Sequence, residues 1–371
     1  MEEVRVESEF WDGRRVLITG HTGFKGGWLS LWLSSLGAEV DGIALAPSTK
    51  PSLFEVARVD SSMRHSHIGD VRDLDLVSEV LADSRPSVLF HLAAQPLVRR
   101  SYDDPLETFS INVMGTVGVL EACRTMGSLD AAVVITSDKC YSNSERPWGY
   151  REDESLGGRD PYSASKACTE HVAYSYRESF LDREGTRLAT ARAGNVIGGG
   201  DWSPDRLVTD AVRGFQSREC VGLRYPDAVR PWQHVLDPLR GYLLLAQALV
   251  RGRTSLPSAW NFGPRPGDEW TVREVIEYMA ERWPQGGRWE VNGRADLHEA
   301  TTLRLDSTLA RIQLGWRPLV STPRAIDMTI DWFVDVDRGN DAKACCLEQI
   351  HEHTRLERGA DPDEMTSRTP Q

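Results

Sequence analysis

Short apolar runs alternate with amphipathic stretches through the first half of the chain. Residues 14–19 (RRVLIT) form an apolar run that feeds a glycine cluster at 20–27; an amphipathic helix over 28–36 stops at Gly37, and 38–45 reads as a second strand. Strand, glycine turn, helix and strand within about 32 residues make a βαβ unit. The pattern continues with a helix over 75–81, a buried strand over 88–92, a long helix over 105–126 and a strand over 131–137. A second long helix over 162–183 and a strand over 187–193 complete it. Apolar strands interleaved with helices imply a parallel sheet covered on both faces.

Beyond about residue 195 the pattern loosens into three consecutive glycines at 198–200, several prolines and shorter elements, with helices expected over 270–282 and 325–334. A smaller lobe closing over the carboxyl edge of the sheet is the natural reading. The expected fold class is α/β: a Rossmann-like doubly wound parallel sheet over 1–194 with a smaller mixed α/β substrate-binding lobe over 195–335. Segments are free to cross between the lobes. Residues 336–371 read as a charged tail, disordered over its last dozen residues.

Composition narrows the function classes. A net charge of −12 argues against nucleic acid as a partner. No run of about 18 apolar residues is present, and the acidic start is unlike a signal peptide, so no membrane partner is expected. Cys123, Cys140, Cys168, Cys220, Cys345 and Cys346 show no metal-ligand spacing, which predicts reduced thiols, a cytoplasmic setting and no metal. Of 43 basic residues only Lys25, Lys50, Lys139, Lys166 and Lys343 are lysine. Where lysine is kept, chemistry that needs a removable proton is the better reading.

Gly20, Gly23 and Gly26 stand between a strand and a helix, where they let the backbone approach a pyrophosphate seated on free helix N–H groups. With Gly69-Asp70-Val71, His91-Leu92-Ala93-Ala94-Gln95 and Asn112, this spacing resembles the extended short-chain dehydrogenase/reductases. The resemblance implies NAD bound by Gly20, Thr22, Gly23, Phe24, Lys25 and Gly26. It further implies Asp70 and Val71 by the adenine, Leu92, Ala93, Ala94 and Gln95 along the pyrophosphate and nicotinamide ribose, and Asn112 and Thr136 shaping the pocket. One departure stands out. The end of the second strand, Ile43-Ala44-Leu45-Ala46, lacks the acid that usually takes the ribose 2′-hydroxyl. It offers no arginine for a 2′-phosphate either, so NAD is favoured over NADP.

Tyr162 and Lys166 lie four residues apart on one helix face. A phenol ordinarily titrates near 10, so a base working near neutrality needs about 4 kcal/mol of help. Lys166 and a nicotinium charge are the natural sources. Together with Ser137 at a strand end, the pair resembles the family's serine–tyrosine–lysine group. Asp138 and Lys139 follow that serine, where plain epimerases and reductases of the family carry small or non-ionisable residues. The stretch TSDKCY (136–141) resembles the nucleotide-sugar 4,6-dehydratases, and within them the branch acting on CDP-glucose. Phe10-Trp11, GHTGFKG (20–26), WLSLWL (28–33), PSLFE (51–55), AAQPLV (93–98), RAGNVIGGGD (192–201) and RPWQHVLD (230–237) extend the likeness from about residue 10 to 335.

The resemblance implies that Tyr162 deprotonates the sugar 4-hydroxyl during oxidation. Asp138 then serves as acid toward the departing 6-hydroxyl, and Lys139 as base at C5. Desolvation would bring both to the required protonation states, whereas a tight mutual ion pair would do the reverse. A charged Lys139 stabilising the enolate, or a surface salt bridge, are the competing readings. Asn195, Arg206, Arg230, Trp232 and His234 fall where the family holds the nucleotide diphosphate, although Trp232 suits a core position equally well. Tyr102 is a candidate for the sugar, Asp237 reads as a structural acceptor, and Glu299 and Asp306 match family positions of unassigned role. The expected partner is CDP-glucose or a related nucleotide sugar, and the long helices at 105–126 and 162–183 suit a homodimer or homotetramer. The alternatives are a 4-epimerase or reductase, a dehydratase for another nucleotide hexose, and a non-catalytic NAD sensor.

Overall fold

The computed structural model describes residues 5–127, 129–252, 256–292 and 301–359. Seven parallel strands form the central sheet: β1 (Arg15–Thr19), β2 (Glu39–Ala44), β3 (His65–Ile68), β4 (Val88–His91), β5 (Ala131–Ile135), β6 (Arg187–Ala193) and β7 (Ala259–Phe262). Their order is β7-β6-β5-β4-β1-β2-β3, and the chain reverses direction of growth at β1, where Val16 pairs both Val40 and Val88. Every residue of β4 and β5 is buried, as a strand covered on both faces requires.

The crossover helices include α1 (Phe24–Ser35), α2 (Leu74–Ser84), α3 (Gly115–Met126) and α4 (Pro161–Tyr176). Both long helices expected from the sequence contain a π turn, at Ser110–Met114 and Arg177–Leu181. At the first, the Asn112 carbonyl accepts from Thr116 Oγ1 at 2.7 Å and from Thr169 Oγ1 at 2.9 Å. Side-chain donors of this kind draw a carbonyl out of the regular ladder.

The boundary expected at 194 divides the sequence but not the sheet. β7 comes from beyond it and pairs with β6, Ala259 opposite Thr190, and α5 (Leu236–Val250) packs its buried length on β5 and β6. The remaining lobe rests on three two-stranded pairings. One joins Trp270–Thr271 to Val229–Arg230, so the helix expected from 270 begins instead at Val272 behind a Thr271–Glu274 capping box.

The charged tail expected over 336–371 is corrected by the structure. Residue 336 lies inside α6 (Thr322–Asp337), and α7 (Ala342–Glu357) packs on α6 and α1. The buried positions of α7 are Ala342, Cys346, Gln349, Ile350, His353 and Glu357. They follow helical spacing, but half are polar, which conceals the stripe from a hydrophobicity reading. The expectation for the last dozen residues falls outside the described residues. Six tryptophans, Trp11, Trp28, Trp32, Trp260, Trp316 and Trp332, are fully buried in the core beneath both lobes.

Candidate active site

The glycine turn after β1 is sterically compelled. Gly20 has φ +79°, and a Cβ there would sit 2.7 Å from the Ala93 nitrogen. A Cβ on Gly26 would come within 2.1 Å of the Gly20 carbonyl oxygen. Gly23 starts α1 with no side-chain cap, which leaves first-turn N–H groups available to an anion. Thr22 Oγ1 ties the turn to the Leu45 carbonyl at 2.8 Å. The missing acid after β2 is evident in three dimensions: Leu45 is exposed at that strand end.

Beyond β3, the Asp70 carboxylate accepts two bonds from Arg72 Nε, each 3.0 Å, which holds its proton affinity below the usual carboxylate range. The Val71 side chain packs into the core, so only its backbone faces outward chemistry. Leu92, Ala93 and Ala94 are half-buried along the wall beside Gly20. Gln95 turns inward, contrary to its expected lining role, because its Nε2 donates to Thr108 Oγ1 at 2.9 Å and the Leu97 carbonyl at 3.0 Å. Asn112 latches this wall to α4, accepting from the Gln95 amide at 2.8 Å and bonding Ser165 Oγ at 2.8 Å.

α4 begins at Pro161 with Asp160 accepting from the Ser163 amide, and it carries Tyr162 and Lys166 on one buried face. The Tyr162 phenol lies close enough to Ser137 for the serine to lower its proton affinity. Ser137 Oγ donates to Asp138 Oδ1 at 2.9 Å and accepts from the Lys139 amide at 3.2 Å. Asp138 is 2% exposed, and its Oδ2 is buried without a partner. Burial raises its proton affinity against the opposing Lys139 charge, Ser137 bond and Arg230 charge. Lys139 is half-buried beside it.

Burial dominates the other titrating groups as well. It pushes Tyr162 up to about 12, against nearby Ser137 and the Arg206 charge. It brings Lys166 down to about 8 while Glu170 and Cys140 oppose the fall, and Lys166 Nζ donates to the Ile135 carbonyl at 3.3 Å. Lys25 falls to about 7 through burial, then repulsion from Lys166 and Arg206, with Asp138 opposing. Lys25 thus reaches from the glycine turn toward Asp138 and Lys166.

Thr136 departs from its expected cofactor role. Its hydroxyl donates to Glu170, on the opposite side of the strand end from Ser137. Strand alternation contained that information.

The second lobe brings some expected residues over this group and leaves others in the core. Arg206, held by Asp201 at 2.8 Å, is close enough to influence Tyr162 and Lys25. Arg230 is buried, donates to the Val229 and Thr301 carbonyls and influences Asp138. Asn195 is half-buried at the start of a short strand, and Tyr102 faces Asp160 and Tyr225. Trp232 belongs to the core and donates to the Trp270 carbonyl at 2.9 Å. His234 is fully enclosed with its ring 6.2 Å from that of Trp28, and burial brings it down to about 3. Neither occupies the ligand-facing position expected of it.

Asp237 accepts from the Leu319 and Val320 amides and pairs with His353, a structural acceptor as expected. Asp306 accepts from the Thr308 amide and pairs with Arg151, while Glu299 lies outside the described residues. Among the described residues Asp41, His65 and His67 gather as possible metal ligands, but both Asp41 oxygens already accept from Arg64. Sequence reasoning missed the buried Glu170–Arg192 pair beneath the site. The available signal was spacing, since Glu170 stands four residues beyond Lys166.

A family model described as GDP-mannose 4,6 dehydratase matches residues 17–329. A CDP-glucose 4,6-dehydratase of Salmonella typhimurium is 47% identical over 353 residues, covering 94% of this chain and 98% of that protein. Among solved structures, an NAD-dependent NDP-hexosamine 5,6-dehydratase involved in tunicamycin biosynthesis matches with TM-score 0.72 and 26% identity, covering 87% of this chain and 98% of its own. A UDP-glucose 4-epimerase of Thermotoga maritima, crystallised with UDP-glucose, shares the fold with TM-score 0.75 at 22% identity, over 86% of this chain and 99% of its own.

Proposed function

Because this chain belongs to the GDP-mannose 4,6 dehydratase family, we propose that it is an NAD-dependent CDP-glucose 4,6-dehydratase that forms CDP-4-dehydro-6-deoxy-glucose. The observation that carries this reading is Asp138: a buried carboxyl with one unpartnered oxygen, bonded to the serine that lies beside Tyr162. A 4-epimerase or reductase has no use for a proton donor at C6. The 47%-identical relative supports CDP-glucose as the substrate.

NAD would supply a reversible two-electron acceptor, so the overall reaction consumes none. The glycine turn and the uncapped start of α1 fit its pyrophosphate. Asp70 and the Val71 backbone would serve the adenine, and Leu92, Ala93 and Ala94 the neighbouring wall. Tyr162 takes the proton of the sugar 4-hydroxyl, with Ser137 orienting the phenol and Lys166 stabilising the phenolate. Once C4 is a ketone the C5 proton is acidic; Lys139 removes it, and Asp138, whose proton affinity burial raises, protonates the departing 6-hydroxyl. Asn195, Arg206 and Arg230 hold the diphosphate, and Tyr102 borders the sugar. The cofactor belongs to 1–194 together with the sheet-forming part of 236–262, and the nucleotide sugar to the rest.

Incubation with CDP-, dTDP-, UDP- and GDP-hexoses tests the reading, followed through the alkali-induced chromophore of the 4-keto product and loss of one water by mass. CDP-glucose is expected to be converted. Turnover of another nucleotide sugar alone would overturn the substrate, and oxidation without water loss would overturn the dehydratase. Exposed Leu106, Phe109, Met114, Tyr174 and Phe180 on the two long helical runs support a homodimer or homotetramer, which light scattering would measure. Six free cysteines suit the cytoplasm. Among the described residues no helix is long and apolar enough to cross a membrane.

A further inference from the structure

The short turn that carries Asp138 and Lys139 has little to hold it by itself. It is a three-residue 3₁₀ turn, Asp138–Cys140, closed by a Cys140 amide bond to the Ser137 carbonyl at 3.2 Å and a Tyr141 amide bond to the Asp138 carbonyl at 3.4 Å. Such turns have poor hydrogen-bond geometry and are set by their surroundings. Here the residues on either side of the turn are fixed to the two members of one buried ion pair. Thr136, before it, donates its hydroxyl to Glu170. Tyr141, after it, accepts from Arg192 Nη1 at 2.7 Å through its phenol oxygen. Arg192 Nη2 and Glu170 Oε2 meet at 2.6 Å, with side chains 3% and 4% exposed.

We infer that Glu170 and Arg192 are positioning residues of the elimination step, a clamp that presents Asp138 and Lys139 by gripping their turn from both ends. The inference rests on the dehydratase reading above. The remaining bonds of the pair support it. Thr190 Oγ1 donates to Glu170 at 2.8 Å, Arg192 Nη1 also donates to the Glu152 carbonyl at 3.0 Å, and the Tyr141 hydroxyl donates to Asn261 at 2.8 Å. The guanidinium lies 4.9 Å from the centre of the Tyr141 ring. An apolar pair of equal volume would typically hold the core at least as well, because two desolvated charges cost much of what their attraction returns. What the ion pair adds is direction. Glu170 also follows Tyr162 and Lys166 at four-residue steps on α4, and its charge is the chief opposition to the loss of the Lys166 proton on burial. One carboxylate therefore refers the elimination residues and the oxidation residues to the same helix.

The test separates the two half-reactions. Thr136→Val and Tyr141→Phe each remove one hydroxyl between clamp and turn, and Glu170→Gln removes the charge. In quenched single turnovers with CDP-glucose, the two hydroxyl variants are expected to form the undehydrated 4-keto hexose at close to the wild-type rate, whereas Glu170→Gln, which also removes the charge that holds the Lys166 proton, slows oxidation as well but elimination more. Water loss and solvent-deuterium entry at C5 should slow about 10²-fold, the scale set by roughly 1 Å of misplacement, so the 4-keto hexose accumulates. Equal slowing of oxidation and elimination, or no slowing of either, would overturn the clamp. Should Glu170→Gln fail to fold, the two hydroxyl variants decide the matter. Amide exchange at Lys139 and Cys140 needs no substrate and is expected to quicken about tenfold in both; unchanged exchange would also overturn the clamp. If the wild-type enzyme dehydrates no nucleotide sugar, the dehydratase reading has failed, and amide exchange still judges the clamp.

Discussion

Tyr162 and Lys166 occupy one face of one helix, yet burial moves them in opposite senses, the phenol up to about 12 and the ammonium down to about 8. The Lys166 charge is present below its shifted value and lost above it, so its support for the Tyr162 phenolate fades as pH rises through about 8. A pH profile of kcat/KM should therefore fall on its basic side near 8, rather than near the ordinary lysine value. In Lys166→Met the residual activity should lack that limb; its persistence would assign the limb to another group. Asp138→Asn keeps the volume and removes the transferable proton. Its kcat is expected to drop about 10²- to 10⁴-fold, the usual contribution of a placed acid, with C5 deuterium exchange retained. Helix spacing placed Tyr162 and Lys166 on one face in the sequence as in the structure, and the family resemblance singled out Ser137 and Asp138, which the structure sets beside them. The placement of Trp232 and His234 was not legible in the sequence. Both sit on a three-residue strand whose residues are all buried, and motif position alone does not say which buried side chains border a ligand.

At the scale of elements, the glycine turn is set by close backbone packing as well as by φ. Gly26→Ala would force a methyl against the Gly20 carbonyl at 2.1 Å, and overpacking of this kind costs about 1–3 kcal/mol. NAD affinity measured by calorimetry should weaken roughly 5- to 150-fold by that cost. Gly118→Ala on α3 meets only the Val71 carbonyl at 3.5 Å and should leave NAD affinity unchanged; an equal loss there would point to general destabilisation. The βαβ units of the first half were readable because their strands are apolar and their helices periodic. β3 and β7 lack those signals. β3 is an edge strand of sequence HSHI with no buried residue, and β7 is four residues long with Asn261 among them. Polar residues on an edge, and a buried asparagine holding the Tyr150 and Asp306 carbonyls, are recognisable as sheet only once their partners are known.

Across the whole molecule, the last described helix completes a core begun by the first residues. Glu357 on α7 accepts from the Val6 amide at 3.0 Å and pairs with Arg240 at 2.7 Å, with side chains of the pair 3% and 4% exposed. His353, on the same face, bonds Asp237, and both side chains are fully buried. Gln247 of α5 accepts from the Trp11 indole and donates to the Arg5 carbonyl, which joins the N-terminal segment to the same layer. Removing one partner of a buried ion pair leaves an uncompensated charge and costs about 3–5 kcal/mol, much of a domain's net stability of about 5–15 kcal/mol. Glu357→Gln should lower the free energy of denaturant unfolding by about that amount. Truncation after Asp337 would take Glu357 from Arg240 and His353 from Asp237, uncover the core groups that Cys346 and Ile350 cover, and is expected to give insoluble protein. Truncation after Gly359 removes none of these contacts and should leave the unfolding midpoint and NAD affinity unchanged. A soluble, NAD-binding chain ending at Asp337 would mean that α7 merely covers the core rather than belonging to it.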